Sequence, residues 1–199
     1  MRSGGTSPTC ARWGRGSGSN DLLSSGSFVS VGGSVFFDLV VDELGDGRSG
    51  VAMPVVLRAG AYVVHDVGTY ERSSPFAHRP VEGRFRNAIE VWGAVLSTPE
   101  DGLAIVGLGR RDVSFDQGLP RVLAARRGDG VVDQLDGAVE ATALDDQHLY
   151  CRVRADAGLR AGDLVACGIS HPCSMLDRWR LIPVVDDDDA VVEVVATFF

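Results

Sequence analysis

Hydrophobic and polar positions follow two different patterns along this chain, and the change falls near residue 86. In the first part, the segment FVSVGGSVFFDLVVDELGDG predicts a short strand, a Gly-Gly-Ser turn and an amphipathic helix with Gly45 as its C-cap. The apolar positions of that helix recur at helical spacing, at Phe36, Phe37, Val40, Val41 and Leu44. The next segment, PVVLRAGAYVVHD, is rich in β-branched residues and predicts a pair of strands that turns at residues 58–60.

From residue 86 onward the pattern favours short strands separated by Gly, Pro and Asp. The predicted strands lie in IEVWGAVLST, LAIVGLG, GAVEATALDD, HLYCRVRA, DLVACGIS, WRLIPVV and AVVEVVATFF. Such spacing is typical of a β-barrel or sandwich, so the fold class is mainly β. The acidic run Asp186–Asp189 between two apolar segments predicts a solvated hairpin turn without a functional role.

These patterns divide the chain into three segments. Residues 1–27 are rich in Gly, Ser and Arg, have no apolar periodicity and are expected to be disordered. Residues 28–70 form the strand, helix and strand unit, and residues 71–199 form the β domain.

Composition narrows the possible partners and compartments. A net charge of -8 makes nucleic acid and anionic membranes improbable partners, and no apolar run approaches the length of a membrane helix. The four cysteines form no CxxC pair and follow no secretory signal, which favours a reduced, cytoplasmic setting. All 19 basic residues are Arg, so no residue of this sequence can form a lysine Schiff base.

Two short motifs carry candidate chemistry. The turn Gly32, Gly33 and Ser34 precedes a helix, where backbone N–H groups and the helix dipole favour a phosphate, although such turns are often only turns. His171 and Cys173 are two residues apart, so on an extended segment their side chains point to the same side. Imidazole and thiolate suit Zn²⁺ better than Mg²⁺ or Ca²⁺. A core histidine beside a buried thiol explains the same pair.

A longer series of segments resembles a known family. LRAGAYVVHD, SPF, EVWGAVLS, GRRDVSFDQGLP, LDDQH and GDLVACGISHPC…RWRLIPVVDDD…TFF together span roughly residues 30–199 in order. They are similar to the C-terminal half of bacterial amino-acid deaminases of the D-serine dehydratase family, which also resembles D-threonine aldolases. The resemblance implies a pyridoxal-phosphate (PLP) barrel of the alanine-racemase type, of which residues 28–70 would be a remnant, followed by the β domain.

The resemblance also implies roles for individual residues. His171 and Cys173 match the family's zinc-binding His-x-Cys pair, and Gly32, Gly33 and Ser34 match the loop that receives the PLP phosphate. Asp112, Asp116 and His148 lie in segments that resemble active-site loops, where they would orient substrate or a metal-bound group; each is equally readable as a loop cap or a surface turn. For His65, Asp66 and Tyr70 a hydrogen-bonded linker into the β domain is the stronger interpretation.

The implied reaction is the dehydration of a D-amino acid to a 2-oxo acid and ammonia. Cysteine at the second metal position favours a dehydratase over a D-threonine aldolase, which usually carries Asp there. Because the Schiff-base lysine and most of a barrel are lacking, the chain is expected to be inactive alone, as a truncated form, a non-catalytic metal-binding β module or an accessory subunit. Uncovered apolar surface around Phe36, Phe37 and Val55–Val56 predicts association, as a homodimer or with a complementing barrel half.

Overall fold

The computed structural model describes residues 26–45, 53–77, 84–128, 130, 132–135 and 137–198. The chain forms two units, residues 1–60 and residues 61–199. The disorder expected for residues 1–27 falls almost wholly outside the described residues. The boundary expected at residue 70 stays a prediction, and the two units divide ten residues earlier.

The first unit contains two parallel strands joined through one helix. β1 (Val29–Gly32) pairs with β2 (Val55–Arg58) in parallel register, and α1 (Phe37–Leu44) lies between them in the chain. The backbone N–H of Gly45 donates to the carbonyl of Val41 at 2.8 Å and closes the last turn. The predicted strand, helix and C-cap are confirmed, except that the helix begins at Phe37 and Phe36 stands at its N-cap.

The strand pair predicted for PVVLRAGAYVVHD is wrong in its second half. β2 ends at Arg58, and Ala61–Val63 form a 3-10 turn instead of a second strand. His65 then adopts a left-handed backbone with a φ of 52°. A residue in this region redirects the chain and cannot continue an extended strand.

The second unit contains a curled antiparallel sheet of seven strands. Its strands are β3 (Glu90–Glu100), β4 (Leu103–Val106), β5 (Arg121–Arg126), β6 (Val132–Gln134), β7 (Val139–Leu144), β8 (Leu149–Val153) and β9 (Leu164–Gly168). Their order in the sheet is β6-β5-β9-β3-β4-β8-β7. The mainly β fold class is confirmed.

β3 explains why the sheet curls. Its first half, residues 90–94, pairs with β9, and its second half, residues 95–100, pairs with β4 through an irregular register. One long strand therefore belongs to both halves of the sheet, and irregular register of this kind bends a strand.

Alternation along the strands places the core on one side of the curled sheet. In β3, Val91 and Val95 are buried at 6% and 2% exposure, whereas Trp92 between them is 38% exposed. Gly93 shares the buried side, and a Cβ there would lie 2.7 Å from Cδ2 of Leu108. The largest fully buried apolar side chains are Leu108, Leu149, Ile169, Val95, Val106, Val113, Val139 and Val165.

Two strands of this sheet, β5 and β6, were not predicted from the sequence. β5 reads RVLAAR, in which Arg and Ala are ordinary helix formers, and β6 has three residues. β5 forms because its backbone pairs with both β9 and β6, so tertiary pairing outweighs local propensity.

A separate hairpin follows the sheet in the chain. β10 (Leu181–Val185) and β11 (Val191–Ala196) pair in antiparallel register. In the turn between them, Oδ1 of Asp186 accepts hydrogen bonds from the backbone N–H groups of Asp188 and Ala190 at 3.0 and 2.9 Å. The predicted acidic hairpin turn is confirmed.

A short segment before the sheet packs against the end of β9. The backbone N–H of Val67 donates to the carbonyl of Ile169 at 3.0 Å, and α2 (Thr69–Ser73) follows. Buried Asp66 accepts backbone hydrogen bonds from Gly68 and Tyr70 at 2.8 and 2.9 Å, which fixes the start of that helix. Across the described part of the chain, every helix is too short or too polar to cross a membrane.

Candidate functional site

The candidate site lies where the chain leaves β9. Val165, Ala166, Cys167 and Ile169 are fully buried, and Ser170 is 2% exposed. The next side chain, His171, is 20% exposed. A strand anchored in the core thus brings the imidazole to the surface of the unit.

His171 shares a network with Asp116 and Ser174. Nδ1 of His171 lies 2.6 Å from Oδ2 of Asp116. The hydroxyl of Ser174 donates to the other carboxylate oxygen and lies 3.5 Å from the same imidazole nitrogen. The carboxylate therefore holds one ring nitrogen, and Nε2 makes no hydrogen bond to a described residue.

The Asp116 carboxylate is stabilised in its charged form. Partial burial opposes its ionisation, but hydrogen bonds from Ser174 and His171 and the charge of the imidazole outweigh that effect and lower the pKa of Asp116. The ionised Asp116 therefore orients the imidazole through Nδ1, and Nε2 points away from this carboxylate contact.

Two serines hold the strand end and the loop of Asp116 together. The hydroxyl of Ser114 accepts a hydrogen bond from the backbone N–H of His171 at 3.2 Å. The hydroxyl of Ser170 donates to the carbonyl of Ser114 at 3.3 Å. Tyr70 lies over this arrangement, with its ring centre 6.2 Å from that of His171.

The segment after the site packs on the loop at residues 109–116. Nε1 of Trp179 donates to the carbonyl of Asp112 at 2.8 Å, and Nε of Arg178 donates to the carbonyl of Ser174 at 2.8 Å. The Asp112 carboxylate itself accepts the backbone N–H of Gly109 at 2.8 Å. Asp112 therefore closes a loop, which is one of its two expected roles, and its catalytic role stays a prediction.

Cys173 is exposed and carries a free thiol. Within the described ranges, no cluster of three or more His, Cys, Asp or Glu side chains could hold a metal ion. His171 and Cys173 therefore supply at most two protein ligands from this part of the chain. The donor set still fits a metal, because Nε2 of His171 makes no hydrogen bond to a described residue and the Cys173 thiol is exposed.

His148 lies in the turn between β7 and β8. Its side chain is exposed, and its carbonyl accepts the backbone N–H of Asp145 at 2.8 Å. This turn supports the loop of Asp112, because the N–H of Arg110 donates to the carbonyl of Asp145 at 2.9 Å. No hydrogen bond or ion pair of the described residues joins the imidazole of His148 to His171, and the catalytic role of His148 stays a prediction.

The phosphate candidate belongs to the first unit. Gly32 ends β1, Gly33 has a φ of 126°, and Val35 and Phe36 lie between Ser34 and α1. Gly32 lies beside Arg58, since a Cβ there would be 3.5 Å from its guanidinium. Turn amides and a guanidinium suit a phosphate, but a sequence without lysine does not fit the Schiff base of PLP.

Sequence analysis missed Ser114, Ser174, Arg178 and Trp179. Ser174 follows His171 by three residues inside a turn, a spacing that gives no distinctive signal. The others reach the site through contacts between distant parts of the chain, which no local pattern reveals.

A known family model matches most of the β domain. Residues 88–185, 98 of the 199 residues, match the family model described as "Putative serine dehydratase domain". Curated protein sequences include no match to the chain.

Solved structures share the fold at low sequence identity. A D-threonine aldolase from Filomicrobium marinum is 23% identical with a TM-score of 0.64, over 84% of this chain and 40% of that one. An alanine racemase-like protein from Idiomarina loihiensis is 19% identical with a TM-score of 0.53, over 82% and 42%. A D-threo-3-hydroxyaspartate dehydratase from Delftia sp. HT23 is 18% identical with a TM-score of 0.52, over 85% and 44%.

Two variants of that dehydratase also match, each at 18% identity. One replaces a histidine, and the other, in a metal-free form, replaces a cysteine two positions later. The chain spans only 40% to 44% of the length of these three proteins. Residues 88–185 are similar to the serine dehydratase domain family, and the chain shares the fold of the matching part of these solved structures.

Proposed function

We propose that this chain supplies the metal-binding C-terminal part of a PLP- and zinc-dependent D-amino-acid lyase of the D-serine dehydratase type. His171 and Cys173 hold the zinc ion in this proposal. The observation that carries it is the 2.6 Å contact between the Asp116 carboxylate and Nδ1 of His171.

That contact is the usual environment of a metal-bound histidine. A ligating imidazole commonly donates its other N–H to a carboxylate, which fixes the tautomer and makes the ligating nitrogen more basic. Here Asp116 holds Nδ1 and leaves Nε2 for the metal. Ser174 holds the second oxygen of the same carboxylate, so Asp116 has little freedom to turn away.

The pair of ligands has a parallel among the solved structures. The D-threo-3-hydroxyaspartate dehydratase has been studied with substitutions at a histidine and at a cysteine two positions later, and the cysteine variant is metal-free. His171 and Cys173 have the same spacing. Thiolate and imidazole together favour zinc over magnesium or calcium.

A zinc ion with open positions acts as a Lewis acid, which would assist departure of the substrate β-hydroxyl. The chain's own residues orient this site. Asp116 and Ser174 fix the His171 ring, and Ser114 fixes its backbone. The Tyr70 ring lies beside the imidazole, with the two ring centres 6.2 Å apart.

In this proposal, the chemistry that requires PLP takes place only when this chain is assembled with a barrel that carries the Schiff-base lysine. No lysine is present in these 199 residues, so this chain alone is assigned metal binding and not turnover. The missing lysine would come from a complementing barrel half, in a homodimer or another assembly. Asp112 and His148 remain candidates for orienting a D-amino-acid substrate, and Gly32, Gly33 and Ser34 for holding the PLP phosphate. A cytoplasmic setting fits the three free cysteines of the described segments.

A D-threonine aldolase is the second candidate function. The F. marinum aldolase has a higher TM-score, 0.64, than the dehydratase, 0.52. Cys173 favours the dehydratase. In a complemented enzyme, product analysis separates the two, because a dehydratase yields a 2-oxo acid and ammonia whereas an aldolase yields glycine and an aldehyde.

Elemental analysis of the purified full chain after zinc loading and desalting tests the metal assignment. We expect close to one zinc per chain in the wild type and in a His148→Ala control, and little zinc in His171→Ala and Cys173→Ser. Circular dichroism must show that all four proteins are folded. Zinc retained by both ligand variants, or absent from a folded wild type, would overturn the assignment of the site to these two residues.

A further inference from the structure

Two arginines share one aromatic ring beside the candidate site. The guanidinium carbons of Arg110 and Arg178 lie 5.5 and 5.4 Å from the ring centre of Phe115, which is 41% exposed. Cation–π contact of this kind fixes a guanidinium without neutralising it.

Neither guanidinium forms an ion pair with a carboxylate of the described residues. The neighbouring Arg111, in contrast, pairs with Asp146 at 3.4 Å. The whole chain has a net charge of -8, so two guanidinium groups without an ion-pair partner beside one ring make this surface locally positive. Such a site attracts an external anion more strongly than an ion pair does.

Contacts connect this pair to the candidate metal site. Arg178 and His171 both contact Ser174. Nε of Arg178 donates to the Ser174 carbonyl at 2.8 Å, and Nδ1 of His171 lies 3.5 Å from the Ser174 hydroxyl. Phe115 directly precedes Asp116 in the chain. Arg178 also donates from Nη1 to the carbonyl of Arg110, which links the two arginines.

We propose that Arg110, Arg178 and Phe115 form a carboxylate-binding subsite beside His171. This inference deepens the proposed function, on which it rests, by assigning residues that select the substrate. The guanidinium of Arg110 makes no hydrogen bond to a described residue, and Nη2 of Arg178 is free in the same sense. Guanidinium N–H groups match carboxylate geometry, and the exposed ring keeps both groups in place.

Two carboxylates of a D-amino acid fit this chemistry. One is the α-carboxylate that every substrate carries, and the other is a second, side-chain carboxylate of an acidic hydroxy amino acid. Inorganic phosphate offers similar oxygens and therefore serves as a comparison.

The test is an NMR titration of the full chain labelled with ¹⁵N-arginine, in the absence of zinc. D-Serine, D-aspartate and inorganic phosphate are added separately while the Nε–H resonances of Arg110 and Arg178 are followed. Because no metal is present, failure of the zinc assignment does not affect the outcome. Arg110→Gln is the main variant, since the Arg110 side chain holds no structural hydrogen bond. Arg152→Gln is the matched control, since Arg152 already pairs with Glu140 at 2.6 Å.

We expect D-aspartate to shift both resonances in a saturable manner and Arg110→Gln to weaken that binding by about fivefold or more. Arg152→Gln should leave it unchanged. Equal shifts with D-serine would assign the subsite to the α-carboxylate, and shifts with D-aspartate alone would assign it to a side-chain carboxylate. The proposal is overturned if neither amino acid shifts the resonances, if phosphate alone does, or if Arg110→Gln binds as the wild type does.

Discussion

Gly68 lies directly against the backbone of Ser170, the residue before the candidate metal ligand His171. A Cβ at position 68 would be 2.7 Å from the carbonyl oxygen of Ser170 and 2.9 Å from its Cα. No flexible side chain can yield at this contact, because both atoms belong to the backbone. The close approach lets the segment at residues 66–70 pack on the end of β9.

Replacing Gly68 with Ala should therefore loosen the site. We expect a loss of about 1–3 kcal/mol in the free energy of unfolding, the usual cost of overpacking, together with reduced zinc retention. Urea denaturation and elemental analysis measure the two effects. Gly128→Ala is the control, because an added Cβ there meets no atom within 4 Å. Equal stability of the two variants would show that the segment moves away without cost.

Asp116 should act on the metal through His171. Asp116→Asn keeps the size of the side chain but removes the charge that supports the imidazole of His171, the proposed zinc ligand. We expect zinc affinity, measured by competition with a chelator, to fall by about 10- to 100-fold. Asp177→Asn, an exposed carboxylate three residues beyond Ser174, should leave the affinity unchanged. Zinc binding as tight in Asp116→Asn as in the wild type would remove Asp116 from the metal site.

The contact between Asp116 and His171 could not be predicted from the sequence. Each residue was singled out separately, and the strand before His171 follows from the apolar run LVACG. Their contact joins positions 55 residues apart. It depends on the position of β9 between β5 and β3, and local propensity does not indicate that β5 is a strand. Hydrophobic alternation thus predicts the elements, whereas the site depends on how the strands pair.

The three described cysteines should differ sharply in reactivity. Burial raises the pKa of the Cys151 thiol to about 12 and also raises that of Cys167, whereas Cys173 is exposed. At pH 8 only about one Cys151 in ten thousand is then a thiolate, the reactive form. In a Cys10→Ser background, iodoacetamide should label Cys173 alone until denaturant is added, as read by peptide mass spectrometry. Rapid labelling of Cys151 in the folded protein would contradict its burial.

The buried thiols of Cys151 and Cys167 should make the free energy of unfolding decrease at alkaline pH. In the unfolded chain they ionise near their ordinary pKa of about 8.5, whereas in the folded chain they stay protonated. Their contribution to stability is therefore complete below that value and is lost as the pH rises above it. Urea midpoints measured from pH 7 to pH 10.5 should fall with pH, and less steeply in Cys151→Ala/Cys167→Ala. An unchanged slope in the double variant would exclude the thiols as the cause.

Arg127 should contribute more to stability than any exposed ion pair of the sheet. Its guanidinium contacts Asp133 at 2.9 Å and the 10%-exposed Asp163 at 3.1 Å, and it donates to the carbonyl of Ala157 at 2.6 Å. Arg127→Ala leaves the Asp163 carboxylate and that carbonyl without their cation, so we expect a loss of about 2–3 kcal/mol. Arg152→Ala breaks only the exposed pair with Glu140 and should cost less than about 0.5 kcal/mol. Urea denaturation gives both values, and equal costs would mean that the network around Arg127 is as weakly held as a surface pair.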